Sequence, residues 1–370
     1  MANGTDGTNF TKEEILCEVA KTILNTPGFP FLLLAEIISG LIATFLNLLL
    51  LLTIWRVGVF HLNLRILLLH FSFSLLWYSF DYVIKAGQLL PRTFGVGDPC
   101  SMKTSMFDCR VHEIPFSIPV QIAVYAELCI SLERLYSTVR YKRYSDNSKC
   151  ATFPTLAVLL VPLCYVMPTF NIVNSLIRMP PGQMMAICEN LLSMTQSGAT
   201  TSLTNNLTAL IASVICVVIV WYWNGYKLRA VMGNKAKHTL SSRFQIDQNI
   251  QINRIIVPDC VIQLCCYIPN YAFMFLIVLD LPLTYETRAL LIHVNYLWKI
   301  AYALAHPAVV LKRNGHVRKR AKEIIPVALA RLLRIEDEEN AMIAVVDKQR
   351  RHETRTHFQM LEDAWNKPAK

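Results

Sequence analysis

Seven long apolar runs limit the possible fold of this sequence more than any other feature. Crossing a lipid bilayer takes a helix of roughly 20 apolar residues, and these runs are too long for ordinary core helices and lack the alternation of strands. Their approximate spans are 31–55, 64–88, 115–139, 153–173, 203–223, 255–279 and 288–311. The sequence therefore predicts an all-α membrane protein, a bundle of seven transmembrane helices.

Composition agrees with this prediction. Hydrophobic residues make up 54% of the chain and charged residues 17%, whereas a soluble domain carries about 25% charged residues. A net charge of +10 would suggest nucleic acid as the partner of a soluble protein. In a membrane protein it is explained by the Lys and Arg of cytoplasmic loops. We therefore expect the lipid bilayer as a partner and no nucleic acid.

The basic residues also predict the orientation. On the side that includes the C-terminus, Lys and Arg are about three times as frequent as on the other, which places the N-terminus outside and the C-terminus in the cytoplasm. Glycosylation sequons begin at Asn3 and Asn9, in the tail that this orientation puts outside. We expect an extracellular tail at 1–30, a seven-helix bundle at 31–311, and a cytoplasmic tail at 312–370 that begins with a basic interfacial helix.

Four cysteines fall on the outer side in this orientation. They are Cys17, Cys100, Cys109 and Cys188. Four cysteines can form two disulfides in three connectivities, and the spacing does not choose among them. Cys109 precedes Arg134 by 25 residues, or about 37 Å of helix, and therefore lies at the outer end of the third helix.

The third helix ends with Glu133, Arg134 and, after Leu135, Tyr136. This element resembles the Glu/Asp-Arg-Tyr element of rhodopsin-like G-protein-coupled receptors. The resemblance implies that Glu133 restrains Arg134 until activation releases the arginine to meet a heterotrimeric G protein. The alternative is an interfacial Arg134 whose side chain extends to the lipid headgroups.

Other elements resemble the same receptors. The run from Cys266 to Pro269 is similar to their Cys-Trp-x-Pro hinge, with Tyr267 in place of Trp, and Pro307 follows His306 where Asn-Pro-x-x-Tyr is usual. The resemblance implies hinges at Pro269 and Pro307 and a disulfide between Cys109 and Cys188. Cys100 is then expected to pair with Cys17.

Two further runs resemble nematode serpentine chemoreceptors of the alpha superfamily (classes alpha, alpha/beta, beta and epsilon). The first consists of three short segments, Asp98-Pro99-Cys100, Leu-Glu-Arg at 132–134 and Tyr-Lys-Arg-Tyr at 141–144. The other is Leu-Ser-Ser-Arg-Phe-Gln at 240–245. The resemblance covers roughly residues 30–315. It implies a chemosensory receptor, in the plasma membrane of sensory neurons or their cilia, that binds an odorant, pheromone or peptide cue in the bundle.

Ionisable residues inside the membrane are candidate functional residues. Glu127 and Lys299 lie at the midpoints of the third and seventh runs, and we expect an ion pair between them, either as the floor of the ligand pocket or as a lock on the inactive state. The alternative is that the two charges face water-filled crevices separately. Asp81 and Lys85 are four residues apart on one helix, and we expect a second pair at the pocket rim. Tyr267 is a further candidate for the pocket.

Three rival functions share parts of this pattern. Lys299 can hold retinal as a Schiff base in a photoreceptor, but its spacing from Pro307 differs by one residue from the opsin pattern and turns the side chain by 100°. A ligand-gated seven-helix channel of the insect odorant-receptor kind has the opposite orientation. Gly95-Val96-Gly97-Asp98 matches an aspartyl-protease motif, yet it lies in a loop. We expect no enzyme, cofactor or metal.

Overall fold

The computed structural model describes residues 12–57, 60–140, 155–179, 182–189, 196–233, 240–278 and 283–325. Ten helices lie in this part of the chain. In chain order they are α1 (Lys12–Leu24), α2 (Phe29–Arg56), α3 (Leu62–Thr93), α4 (Met106–His112), α5 (Ile114–Val139), α6 (Thr155–Ile177), α7 (Gln196–Gly233), α8 (Leu240–Val278), α9 (Tyr285–Arg313) and α10 (Gly315–Ile324). A 3₁₀ turn (Pro99–Met102) and the two-residue strands β1 (Thr104–Ser105) and β2 (Met184–Met185) complete it.

Seven of these helices form the bundle. Six of them, α2, α3 and α5 to α8, are long and apolar enough to cross a membrane. The seventh, α9, has 29 residues and closes the ring by packing between α8 and α2. Helix α5 contacts α3, α6, α7 and α8 and is therefore the central helix. The fold class predicted from the apolar runs is confirmed.

The helix ends follow local sequence rules. Gly28 precedes α2 with φ of 92°, a left-handed conformation that favours glycine, and Pro30 occupies the first turn. The side chain of Thr284 caps α9 by accepting from Thr287 N–H. Asn314 caps α10 by accepting from two backbone N–H groups. The short α10 lies where the sequence predicts an interfacial helix, although its position at a lipid surface stays a prediction.

One end of the bundle, which we call the disulfide end, carries both disulfides. Helix α1 covers this end, and its Ala20, Ile23 and Leu24 are buried with Phe29 and Leu33 of α2 in a small second core. Because Cys17 of α1 is bonded to Cys100 of the 3₁₀ turn, with the Cα atoms 4.7 Å apart, the helix is covalently held in place. The other end, which we call the Arg134 end, includes the last turn of α5.

Helices α2 and α3 approach each other closely at Gly40. A Cβ atom at Gly40 would lie 2.7 Å from Cγ2 of Val83 and 3.3 Å from the carbonyl oxygen of Ser79. These distances are shorter than van der Waals contact, so only glycine lets the two helices pack this tightly.

We predict that Gly40→Ala lowers the melting temperature of the purified protein, because overpacking costs about 1–3 kcal/mol. The control is Gly87→Ala in α3, where a new Cβ meets nothing within 4 Å. There alanine should stabilise the helix by about 0.5–1 kcal/mol. Adding Val83→Ala to Gly40→Ala should restore part of the loss. Equal melting temperatures for the two single variants would contradict the close approach.

Candidate functional site

A buried ion cluster lies beneath the loop at the disulfide end. Lys85 of α3 is its centre, with Nζ 2.8 Å from Oε1 of Glu113 and 2.8 Å from Oε2 of Glu189. Glu113 immediately precedes α5, and Glu189 belongs to the loop after β2. One ammonium group therefore connects α3, the start of α5 and a loop.

Glu189 also joins this cluster to α9. The hydroxyl of Tyr296 donates to Oε2 of Glu189 at 2.7 Å, and Nε2 of His293 lies 3.5 Å from Oε1. The other ring nitrogen of His293 is 2.9 Å from Oε1 of Glu36 in α2. All of these side chains are buried. The cluster of Glu36, Lys85, Glu113, Glu189, His293 and Tyr296, which we call the ion cluster, thus ties four segments of the bundle to the loop.

The loop itself is fixed by two other constraints. Cys109 of α4 and Cys188 form a disulfide with their Cα atoms 5.2 Å apart, which is the pairing that the receptor resemblance implies. The strands β1 and β2 pair antiparallel, with Thr104 opposite Met185 and Ser105 opposite Met184. The carboxylate of Glu189 follows the disulfide by one residue, so the loop cannot move without moving this charge.

The pKa values of Glu189 and Glu113 shift in opposite directions. Burial raises the pKa of Glu189, but Lys85 and His293 outweigh it and lower the pKa to about 2. Burial raises the pKa of Glu113, and Lys85 only partly offsets this effect. A lowered pKa stabilises the folded protein above the ordinary glutamate value near 4.3. This contribution of Glu189 is lost only as the pH falls toward 2, so its ion pair persists at physiological pH.

A cavity of about 740 Å³ opens beside the ion cluster. Its lining combines Lys85 and Glu113 with residues of α3, the 3₁₀ turn, β1 and the end of α4. This volume lies within the usual range of small-molecule sites, roughly 300–1,000 Å³. The disulfide end therefore has both a cavity and buried charges that face it.

At the Arg134 end, Glu133 and Arg134 form an ion pair. Both side chains are buried, with 0% and 4% of their surface exposed, whereas Tyr136 is 46% exposed. A cleft of about 330 Å³ lies between α7, α8 and α9 at this end, and Arg254 and Arg313 are among its lining residues. A restrained arginine and a basic cleft thus occupy the end opposite the cavity.

Comparison with known proteins agrees with this architecture. A sequence model of the family described as "Serpentine type 7TM GPCR receptor class ab chemoreceptor" matches residues 14–332. The chain belongs to this family. It is similar to "Serpentine receptor class alpha/beta-14" of Caenorhabditis elegans, with 25% identity over 336 residues that cover 83% of this chain and 81% of that receptor. The resemblance to nematode serpentine chemoreceptors is thereby confirmed.

Two ion pairs expected from the sequence of this class ab family member are wrong. Lys85 does not pair with Asp81, since Glu113 and Glu189 take its ammonium, and Oδ2 of Asp81 has no hydrogen-bond partner in the described part of the chain. Lys299 does not pair with Glu127. Its ammonium lies 5.6 Å from the centre of the Tyr296 ring.

The physical reason is helix rotation, which depth along the membrane does not reveal. Oε1 of Glu127 has no hydrogen-bond partner within the described ranges. The charged group that interacts with Glu127 is the carboxylate of Asp259 in α8, not the ammonium of Lys299. Asp259 in turn accepts a hydrogen bond from Nδ1 of His306, at 2.9 Å. Glu127 and Lys299 therefore have matching positions in their apolar runs but do not face each other in the bundle.

The other functional residues that the sequence suggested lie in different parts of the molecule. Tyr267 is buried and packs edge-on against Tyr302 with ring centres 5.5 Å apart, away from the cavity lining. Pro269 and Pro307 lie inside α8 and α9, and their hinge role stays a prediction. Asn3 and Asn9 lie outside the described residues.

Sequence reasoning missed five members of the ion cluster, Glu36, Glu113, Glu189, His293 and Tyr296. A signal existed for two of them: Glu36 is the only charge in the first apolar run, and His293 lies within the seventh. Such residues are rare in lipid and usually have partners in the bundle. Glu113 and Glu189 lie outside the runs, where nothing in the sequence distinguishes them from surface carboxylates.

We predict that Lys85→Met and Lys299→Met have opposite effects on stability, although both replace a buried lysine at similar exposure. Lys85→Met leaves two buried carboxylates without their cation and should cost about 3–5 kcal/mol. Lys299→Met removes a buried charge that has no carboxylate within 4 Å in the described structure, and should be neutral or stabilising.

Thermal unfolding of the two purified variants in the same detergent tests this difference. Tyr296→Phe provides an intermediate case, because it removes one hydrogen bond to Glu189, worth about 1 kcal/mol. If Lys299→Met destabilised the protein as much as Lys85→Met, the assignment of Lys85 as the centre of the ion cluster would be wrong.

Proposed function

We propose that this chain is a chemosensory G-protein-coupled receptor of the plasma membrane in sensory neurons or their cilia. The N-terminus lies outside and the C-terminus in the cytoplasm, so the disulfide end faces the exterior. A small-molecule or peptide cue binds at the outer end of the bundle, and a heterotrimeric G protein binds at the Arg134 end. Membership of a serpentine chemoreceptor family supports this function.

The observation that carries the proposal is the buried pair of Glu133 and Arg134. An arginine held by a neighbouring carboxylate at the end of the central helix is available to a protein partner once the pair opens. Its side chain is buried against the bundle, whereas an arginine that serves the lipid headgroups extends to the surface. The adjacent cleft between α7, α8 and α9 gives such a partner a place to insert.

The structure gives less support to the two rival functions. A retinal Schiff base on Lys299 needs a carboxylate counter-ion, and Glu127 does not contact Lys299. A channel of the insect odorant-receptor kind has the opposite orientation, and the family match is to a receptor class. Neither is proposed as a second function.

We predict that Arg134→Ala abolishes the response of the receptor to a cue. The full chain is expressed in a heterologous cell with a promiscuous Gα subunit, and pools of odorants and pheromones are screened for a calcium signal. With the active pool, the response of Arg134→Ala, normalised to the amount of receptor at the cell surface, should be at least tenfold lower, because the G protein loses its arginine contact.

Arg140→Ala is the matched control, since Arg140 is an exposed arginine at the same end of α5. It should respond like the unaltered receptor. A full response from surface-expressed Arg134→Ala would show that Arg134 does not couple to the G protein. A cue-evoked current that persists without any Gα subunit would favour a channel instead.

A further inference from the structure

We infer that the cavity at the disulfide end binds an amino-acid-like ligand, whose amine is accepted by Glu113 and whose carboxylate lies among Arg92, Lys103 and His112. This inference deepens the proposed function by giving the chemical class of the cue, and it rests on that function. It comes from three features of the cavity: the buried acceptor on Glu113, the basic rim and the apolar part of the lining.

Glu113 carries one hydrogen-bond acceptor that no described residue uses. Glu113 is 3% exposed and lines the cavity. Its Oε1 accepts from Lys85 at 2.8 Å, while its Oε2 is buried and has no hydrogen-bond partner among the described residues. Leaving a buried carboxylate oxygen unpaired costs free energy. A ligand that donates a hydrogen bond, such as an ammonium group, recovers this cost.

The rim is basic. Arg92, Lys103 and His112 line the cavity, and Glu113 is its one acidic lining residue in the described structure. The charge of Glu113 is already offset by Lys85. Lys103 has only a loose partner at 3.7 Å, Glu13, whose side chain is 82% exposed. The rim therefore attracts an anion, and Arg92 with its planar guanidinium suits a carboxylate.

Part of the cavity lining is apolar. Leu89, Met102 and Phe116 belong to this part, and they offer a surface for a hydrophobic side chain. A simple amine would bind Glu113 but would be repelled by the basic rim. A simple carboxylate would meet the rim but leave Oε2 of Glu113 unpaired. A molecule with an amine, a carboxylate and an apolar side chain satisfies all three features at once.

Direct binding to the purified full chain in lipid nanodiscs tests this inference. Saturation-transfer NMR is recorded with three matched sets of probes: the apolar amino acids and their dipeptides, the methyl esters of the same molecules, and their deaminated acids. Binding should appear in the first set, and the ester and deaminated counterparts of each binder should bind at least tenfold more weakly.

Variants assign the binding to this cavity. Arg92→Gln should weaken binding of the free amino acid at least tenfold and leave its methyl ester unchanged. Arg178→Gln, an exposed arginine at the same end but outside the cavity lining, should change neither. If Arg92→Gln fails to fold, as judged by its melting temperature, Lys103→Gln takes its place with the same expected result.

The outcomes separate this inference from the proposed function, because binding is measured without a G protein. Arg134→Ala, which removes coupling, should bind the amino-acid probes normally. Methyl esters that bind as tightly as the free acids would show that the rim holds no anion. The absence of binding by every amino-acid and dipeptide probe also overturns the inference, even if the receptor responds to another pool in cells. Binding without any cellular response would instead count against the proposed function alone.

Discussion

A buried lysine between two carboxylates organises the disulfide end of this receptor. Burying a charge costs several kcal/mol, and only close partners with good geometry repay this cost. Lys85 meets that condition through Glu113 and Glu189, each at 2.8 Å. Since the two partners come from the start of α5 and from a loop, the charge can be buried only when both segments are in place. The ion pair therefore makes the positions of helix and loop depend on each other.

The other constraints at this end reinforce the same arrangement. The disulfide from Cys109 to Cys188 fixes the loop covalently next to Glu189, and His293 continues the chain of charges to Glu36 in α2. With the loop and helices held in this way, the cavity beside Lys85 has fixed walls and fixed charges. A cavity whose residues are already ordered adds no cost of ordering them when a molecule enters it.

Sequence patterns predict the elements of this fold better than the contacts between them. The seven apolar runs identify all seven bundle helices, and the spacing of Cys109 from Arg134 places that cysteine at the correct end of α5. The partner of Lys85 was predicted wrongly, because the i,i+4 rule favours a local partner, Asp81. Its actual partners are 28 and 104 residues away in sequence. Such long-range contacts depend on helix rotation and loop paths, which a hydropathy pattern does not specify.

The two buried ion pairs at opposite ends of the bundle differ in what must move to open them. Glu133 and Arg134 are neighbours on one helix, so opening their pair leaves both groups on α5. The pairs of Lys85 join separate segments, and opening them displaces a disulfide-bonded loop. Because Glu133 and Arg134 both belong to α5, the opening of their pair does not by itself require the loop that carries Glu189 to move.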